Sequence, residues 1–374
     1  MVEWLKVLRG EELSLVGPNP EDPRQARTLE AGYGVEFHGF RLSNAASLAG
    51  AAGALAAGRP IQEGLFHVAA AQRALRSVLA AERPDVVVVQ MVRCWWAMEL
   101  LSRGSAAPPV VFDAIDAMGL HFERAARSFP RPLGFVVRRE AQRCRRVERR
   151  MAEISAVTTA VARRDLEAIR VPPGRGRLVP VGAPGGAPRS EPPKAPTVLL
   201  SGNLGYRPTR RGALWFAEEV WPEVRRRIPE ARWVLAGARP PRSLRRLAGL
   251  PGVEVVADVP DLAPYFAAAR VAIAPMADGS GVPMKVLEAW ANGVPVVAHP
   301  WSAAGLEAVP GTDLLVAESA AAWRDAVARL LVDQELASRI AAAGRARWET
   351  VYSRDRVAEA IRQVVGEAAG RRMS

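Results

Sequence analysis

A chain of 374 residues, 49% hydrophobic and 24% charged, is long enough to bury two ordinary globular cores. Its net charge is +12, carried by 48 arginines and only three lysines: Lys6, Lys194 and Lys285. Two distant cysteines (Cys94, Cys144) and four scattered histidines exclude a disulfide framework and offer no zinc or di-metal spacing, which fits a reducing compartment.

The opening, MVEWLKVLRGEEL, is too charged for a secretory signal. Residues 13–16 read as a short strand ending at Gly17-Pro18-Asn19-Pro20, and 35–40 as a second strand. The Ala/Gly run 45–57 is too short and too weakly apolar to span a bilayer. Residues 61–81 have helical periodicity. The continuous apolar run 86–90 suits a strand covered on both faces. Residues 95–101 read as helix and 109–112 as a strand whose end delivers Asp113 and Asp116. In open α/β sheets, residues just past strand ends line the ligand crevice. Either acid is a turn or cap residue, or a carboxylate in that crevice, with Asp116 the better placed.

Residues 124–150 hold ten arginines and two glutamates, a local charge of +8. If 136–154 is a helix, Arg138, Arg139, Arg145, Arg146, Arg149 and Arg150 share one face, opposite Val137, Cys144, Val147, Met151 and Ile154. Such a face binds the phosphates of anionic membranes or substrates, or is simply solvated. Glu140 and Glu148 project toward the less basic side, where ion pairs with nearby arginines account for them. No nucleic-acid-binding signature accompanies the patch.

Strands at 156–159 and 178–181 complete the first half. The Pro/Gly-rich segment 182–196 is the best domain boundary. A second α/β alternation follows: strands at 197–201, 233–236, 253–256, 271–274 and 294–298, and helices at 211–227, 262–269 and 285–291. Helices at 320–331, 334–350 and 355–369 close the chain. Strand-end turns recur at Gly202 and Gly205 (near Arg207), at Gly237, and at Val259 to Asp261, where Asp261 is placed to cap a helix. Two such domains joined by a linker make a cleft, a favoured place for ligands.

The most informative stretch is 278–298, DGSGVPMKVLEAWANGVPVVA. It reads as a Gly-rich loop, a helix and a buried strand. Gly279 and Gly281 let backbone N–H groups approach a ligand. Pro283 suits a first helical turn, and Asn292-Gly293 ends the helix. Lys285 and Glu288 lie on one helical face. A helix N-terminus attracts anions, so the segment offers N–H donors, a cation and a carboxylate to one ligand. A nucleoside diphosphate uses that set: donors and cation on the phosphates, carboxylate on the ribose. Among cations that are otherwise nearly all arginine, Lys285 is either a compact ammonium where a guanidinium fork is not accommodated or a lysine that survived by chance. GxxxxGK[ST] is absent.

Residues 199–208 (LLSGNLGYRP), 213–241, 253–276, 279–298, 305–307 (GLE) and 314–319 (LLVAES) resemble family 4 glycosyltransferases of the GT-B fold. The closest likeness is to the subgroup that writes GSG-x-x-x-KVLEA, which includes sugar transferases linked to exopolysaccharide loci. Residues 112–126 (FDAIDAMGLHFERAA) and 138–150 (RREAQRCRRVERR) are similar to that subgroup's first domain. The resemblance implies an α/β chain of two doubly wound Rossmann-like domains facing a cleft. Residues 1–183 would form the acceptor-side domain, 184–196 the linker, 197–352 the nucleotide-sugar domain, and 353–374 a helix crossing back to the first domain.

It further implies retaining, metal-independent transfer from a UDP- or GDP-type sugar, with no other cofactor. The donor site would comprise Gly202, Gly205, Gly237, Val259, Asp261, Gly279, Ser280, Gly281, Val282, Lys285, Val286 and Glu288. In it Glu288 holds the ribose, Lys285 faces the diphosphate and the 259–261 loop contacts the base. Asp116, Lys285 and Arg207 would be the catalytic residues. Three departures matter. Ser280 stands where the family often has a second glutamate. A His-Asp pair reads Ile115-Asp116. Residues 2–9 look like the end of the family's first helix, so the first strand and its loop would be missing from the first domain. The expected acceptor is a growing glycan or polyprenyl-linked sugar, and the expected location is the cytoplasm, peripheral to the inner membrane face. Alternatives are a GT-B sugar-nucleotide epimerase and a non-catalytic nucleotide-sugar-binding remnant.

Overall fold

A computed structural model describes all residues except 1, 21, 104–106, 127–128, 187–192, 194, 279–280 and 372–374. The chain divides into two compact units, residues 1–180 with 358–374, and residues 181–357.

Unit 1 opens with α1 (Val2–Val7), β1 (Leu13–Pro18), α2 (Pro23–Tyr33) and β2 (Val35–Phe40). Three helices follow, α3 (Asn44–Ala56), α4 (Ile61–Phe66) and α5 (Ala69–Glu82). Then come β3 (Val87–Gln90), α6 (Trp95–Ser102), β4 (Val110–Asp113), α7 (Met118–Ala126), α8 (Arg131–Ile154), β5 (Val157–Ala160), α9 (Arg163–Ile169) and β6 (Gly176–Leu178). All pairings are parallel, but the strands fall into two sheets, β1-β2 and β3-β4-β5-β6. Among the described residues no strand joins β1 to β3. The consequence shows in burial. β4 and β5 are buried along their whole length, whereas the equally apolar β3 is only half-buried at Val87 and Val88, as befits an edge. One core packs Phe112, Met98, Cys144, Met151 and Ile169 around β4. Another packs Phe40 edge-to-face on Trp96, with Val68 and Leu75.

Periodicity predicts one helix over 61–81, but α4 and α5 are separate. Val68 is extended between them, and His67 ties both, through Nδ1 to Glu63 at 3.1 Å and Nε2 to Gln72 at 2.6 Å. A hydrophobic pattern survives such a break, so periodicity alone does not see it.

Unit 2 contains β7 (Thr197–Asn203), α10 (Arg207–Glu219), α11 (Trp221–Arg227), β8 (Arg232–Ala238), α12 (Arg242–Arg245), β9 (Val253–Ala257), α13 (Ala263–Ala268), β10 (Val271–Ala274) and α14 (Met284–Ala291). β11 (Val296–Ala298), α15 (Pro300–Ala303), β12 (Leu315–Val316), α16 (Ala320–Val332), α17 (Gln334–Arg347) and a π-helical turn, Trp348–Tyr352, follow. α18 (Arg354–Gly370) begins in unit 2 and continues in unit 1. The sheet is parallel, in the order β12-β11-β10-β7-β8-β9. Its two faces carry separate cores, one built on Phe216, Trp221, Trp233 and Trp323, the other on Trp290, Val286 and Tyr352. The helix predicted at 211–227 is split at Val220, because Pro222 at the start of α11 has no N–H for the continuing helix. Of the segment read as a linker, Ala183 donates to Tyr352 O and Gly186 to Ala291 O, so its start is held against unit 2.

Candidate functional site

The strand-end loops of unit 2 interlock. Gly202 and Gly237, in register on β7 and β8, both have positive φ, at 101° and 157°. A Cβ at Gly237 would collide with the Gly202 carbonyl, so only glycine fits there. Leu204 donates to Ala238 O at 2.9 Å and Asp258 to Gly237 O at 2.7 Å. The Asp258 carboxylate accepts from Arg239 N at 2.7 Å, and both residues are left-handed, at φ 52° and 53°. Strain of this kind is held by the loops' mutual hydrogen bonds, and it clusters where ligands bind.

Beside these loops is a pocket of about 360 Å³. β7 contributes Gly202 and Asn203, and α10 adds Tyr206 and Thr209 at its start. Met276 and Asp278 come from the loop after β10, and Trp301 and Ser302 from α15. Gly281, Val282, Lys285 and Glu288 close it from the loop and first turns of α14. Neither the Lys285 ammonium nor the Glu288 carboxylate has a hydrogen-bond or ion-pair partner among the described residues, although the Glu288 carbonyl accepts from Asn292 Nδ2 at 2.8 Å. Burial pulls Lys285 down from the usual lysine range to about 8, with Glu288 opposing the shift. Burial likewise raises Glu288, opposed by Lys285. A cation and an anion, partly desolvated and left unpaired, are set up to be completed by a ligand that accepts at one and donates at the other. Asp278 is already taken, its carboxylate 2.6 Å from Arg211.

Thr209 was not read as a site residue from the sequence, yet its hydroxyl is buried at the pocket and has no partner among the described residues. Its signal lay in the helix boundary: with α10 starting at Arg207, Thr209 falls in the first turn, next to the glycine-containing loop after β7. Of the predicted donor residues, Gly202, Gly281, Val282, Lys285 and Glu288 share this pocket. Gly205, Gly237, Val259, Asp261 and Val286 do not line it. Val286 is fully buried in the core, and Asp261 accepts from Ala263 N at 2.9 Å at the start of α13, a capping role. Arg207 is exposed on the first turn of α10, directly after the pocket residue Tyr206. Gly279 and Ser280 lie outside the described residues.

In unit 1, Asp113 is buried and satisfied by Gln90 and Thr159, each at 2.8 Å. Asp116 differs: it is half-buried, its carboxylate has no hydrogen-bond or ion-pair partner among the described residues, and it is raised by burial, with Arg164 opposing. It follows Ile115, a β-branched residue at φ 60°. The loop is fixed from behind by two acids. Asp165 accepts from Ala117 N at 3.3 Å, and Glu148 accepts from Met118 N at 2.6 Å and Gly119 N at 3.2 Å. This corrects the expectation that Glu140 and Glu148 serve mainly in ion pairs with arginines. Glu148 holds the N-terminus of α7, and Glu140 accepts from Ile61 N at 2.7 Å besides its weaker contact with Arg143 at 3.5 Å.

Two parallel α/β units, the second with glycine-rich strand-end loops beside a pocket, are the architecture expected of a GT-B fold. Residues 195–333 match the sequence model of the family described as glycosyl transferases group 1, which places that domain in unit 2. No curated protein matches the chain in sequence. Among solved structures it is similar to sucrose-phosphate synthase from Thermosynechococcus elongatus, at 19% identity and a TM-score of 0.61, covering 80% of this chain and 77% of that one. The Anabaena protein HepE, solved with UDP and glucose, is similar over 98% of this chain and 95% of its own, at 12% identity and a TM-score of 0.62. A glycosyltransferase from Rickettsia africae aligns over 98% and 93%, at 11% identity and a TM-score of 0.65. Among the described residues no helix is long and apolar enough to cross a membrane.

Proposed function

We propose that the protein transfers a sugar from a UDP- or GDP-type nucleotide donor to a hydroxyl of a glycan or polyprenyl-linked acceptor, with retention at the anomeric carbon, in the synthesis of a cell-surface polysaccharide. The observation that carries this reading is the unpaired Lys285–Glu288 couple in a pocket of the domain that matches group 1 glycosyl transferases. Lys285 opposes the diphosphate and Glu288 accepts from the ribose hydroxyls. Thr209 and the N–H groups near Gly202 and Gly281 complete the phosphate cradle. As the glycosidic bond breaks, negative charge grows on the departing diphosphate. Lys285 and Arg207 neutralise it, which is why we read the transfer as metal-independent. No side chain of the site is offered as a nucleophile. The departing phosphate takes the acceptor's proton on the face it leaves, and Asp116 orients the acceptor hydroxyl. With such an acceptor, our reading has the protein work in the cytoplasm, at the inner face of the membrane.

Support for the donor class comes from HepE, whose structure holds UDP and glucose. The test is a thermal-shift screen of UDP-, GDP-, ADP- and CDP-sugars, followed by titration calorimetry. A UDP- or GDP-sugar should raise the melting temperature in proportion to its affinity. Glu288→Ala should weaken its binding by about 1.5–3 kcal/mol, the worth of a charged hydrogen bond. Unchanged affinity in that variant would remove Glu288 from the site.

A further inference from the structure

Unit 1 carries a surface that the donor chemistry does not use. From Ser43 to Gly58 the sequence has no charged residue, and α3 within it is largely exposed. Of its side chains only Ala54 is buried, while Leu48 is 68% and Leu55 46% exposed. The helix is seated on α4 backbone to backbone. A Cβ at Gly50 would collide with the Gly64 carbonyl, and one at Gly64 with the Gly50 carbonyl. The inner face is therefore specified closely, and the outer face is left apolar.

A second apolar group lies on a helix linked to the first. α4 is tied to α8 by Ile61 N–H donating to Glu140, one turn beyond Val136. On and just before α8, Phe129, Leu133, Phe135 and Val136 are exposed. Among the described residues, six of the ten well-exposed large apolar side chains are on these two segments, so the pattern is a concentration rather than the usual scatter. Phe135 sits within the basic face of α8, under the Arg139 guanidinium at 5.1 Å. The arginines there are not all alike. Arg149 and Arg150 are paired with Glu153, and Arg145 with Glu123. Arg131, Arg138, Arg139 and Arg146 are exposed and have no carboxylate partner among the described residues.

We propose that unit 1 docks on the surface of an anionic phospholipid bilayer through α3 and the exposed face of α8. The aliphatic and aromatic side chains enter the headgroup boundary, and the unpaired arginines meet lipid phosphates. Unpaired cations interleaved with apolar side chains complement a layer that is anionic outside and hydrocarbon inside. A nucleic acid would match the arginines and leave the uncharged α3 without a role. The inference concerns unit 1 alone and deepens only the peripheral-membrane part of the reading above.

The test is co-sedimentation of the full-length chain with phosphatidylglycerol–phosphatidylcholine vesicles and with pure phosphatidylcholine. Binding is expected to the anionic vesicles only, and to weaken as salt rises. The triple variant Arg138→Gln, Arg139→Gln, Arg146→Gln should lose roughly tenfold or more in affinity. Leu48→Asn with Phe135→Ser should lose a comparable factor through the apolar term. All five positions are exposed, so melting temperature and nucleotide binding should be unchanged in both variants. Wild-type failure to bind anionic vesicles, or wild-type-like binding by both variants, would overturn the proposal. So would a dimer in light scattering that the Leu48/Phe135 variant dissociates, which would assign the face to a second copy. Vesicle binding without nucleotide binding would count against the donor reading and leave this one standing.

Discussion

Lys285 is a buried cation that costs the fold, a cost that the proposed donor role would explain. Its folded value is lowered to about 8 by burial. A lysine lowered in this way stabilises the folded state above its unfolded value of roughly 10.4, and that contribution is lost as pH falls through the folded value. At neutral pH the ligand-free pocket therefore holds a poorly solvated ammonium. Lys285→Met is expected to stabilise the ligand-free protein at pH 7 by about 1–3 kcal/mol in thermal denaturation, while abolishing the nucleotide-induced rise in melting temperature. In the wild type, calorimetric affinity for a nucleoside diphosphate should fall as pH rises beyond about 8, where the cation is lost. Lys285 and Glu288 were legible in the sequence because their spacing on a helix alone puts them on one face. The Asp116 support was not. Glu148 and Asp165 are 32 and 49 residues beyond Asp116, and only packing brings them to its loop.

At the scale of elements, α7 and α8 are joined by that same Glu148. Its carboxylate is buried and raised to about 7 by desolvation, with the Gly119 and Met118 N–H groups opposing. For an acid raised on folding, the stabilising contribution is complete below the unfolded value and is lost as pH rises through the folded one. Asp113, Asp116 and Asp165 shift in the same direction, so the effect must be isolated by difference. Relative to Glu148→Gln, the wild type should lose on the order of 2–3 kcal/mol of stability between about pH 5 and pH 8, read from paired thermal melts. A constant offset between the two proteins would remove the assigned titration. Amphipathic periodicity foresaw α8 and its basic face. It assigned the two glutamates to arginines, because charge complementarity is visible in sequence and backbone N–H donors from another helix are not.

The whole molecule is a contiguous unit 2 and a discontinuous unit 1 completed by the end of the chain. Within α18, Ile361, Val364 and Ala368 are buried, and Glu367 pairs with Arg177 of unit 1 at 2.8 Å. Deleting residues 358–374 should therefore destabilise unit 1, by roughly 1.5–3 kcal/mol for each large aliphatic side chain exposed. The core of unit 2, with its Lys285–Glu288 pocket, should remain. Calorimetry should show one lowered transition and one unchanged transition that still responds to nucleotide. If both fall together, the two units unfold as one.

By itself the sequence determined the α/β alternation, the place where the pattern restarts, and the Lys285–Glu288 pair, because each depends on local periodicity or short spacing along one element. Only the tertiary structure decided that unit 1 has two separate sheets, that Thr209 belongs to the pocket while Val286 is core, and that an uncharged helix is left facing solvent. Those outcomes depend on which strand edges find a partner and which helix faces are covered. That is settled by contacts between segments tens of residues apart, and no window of sequence contains both sides of such a contact.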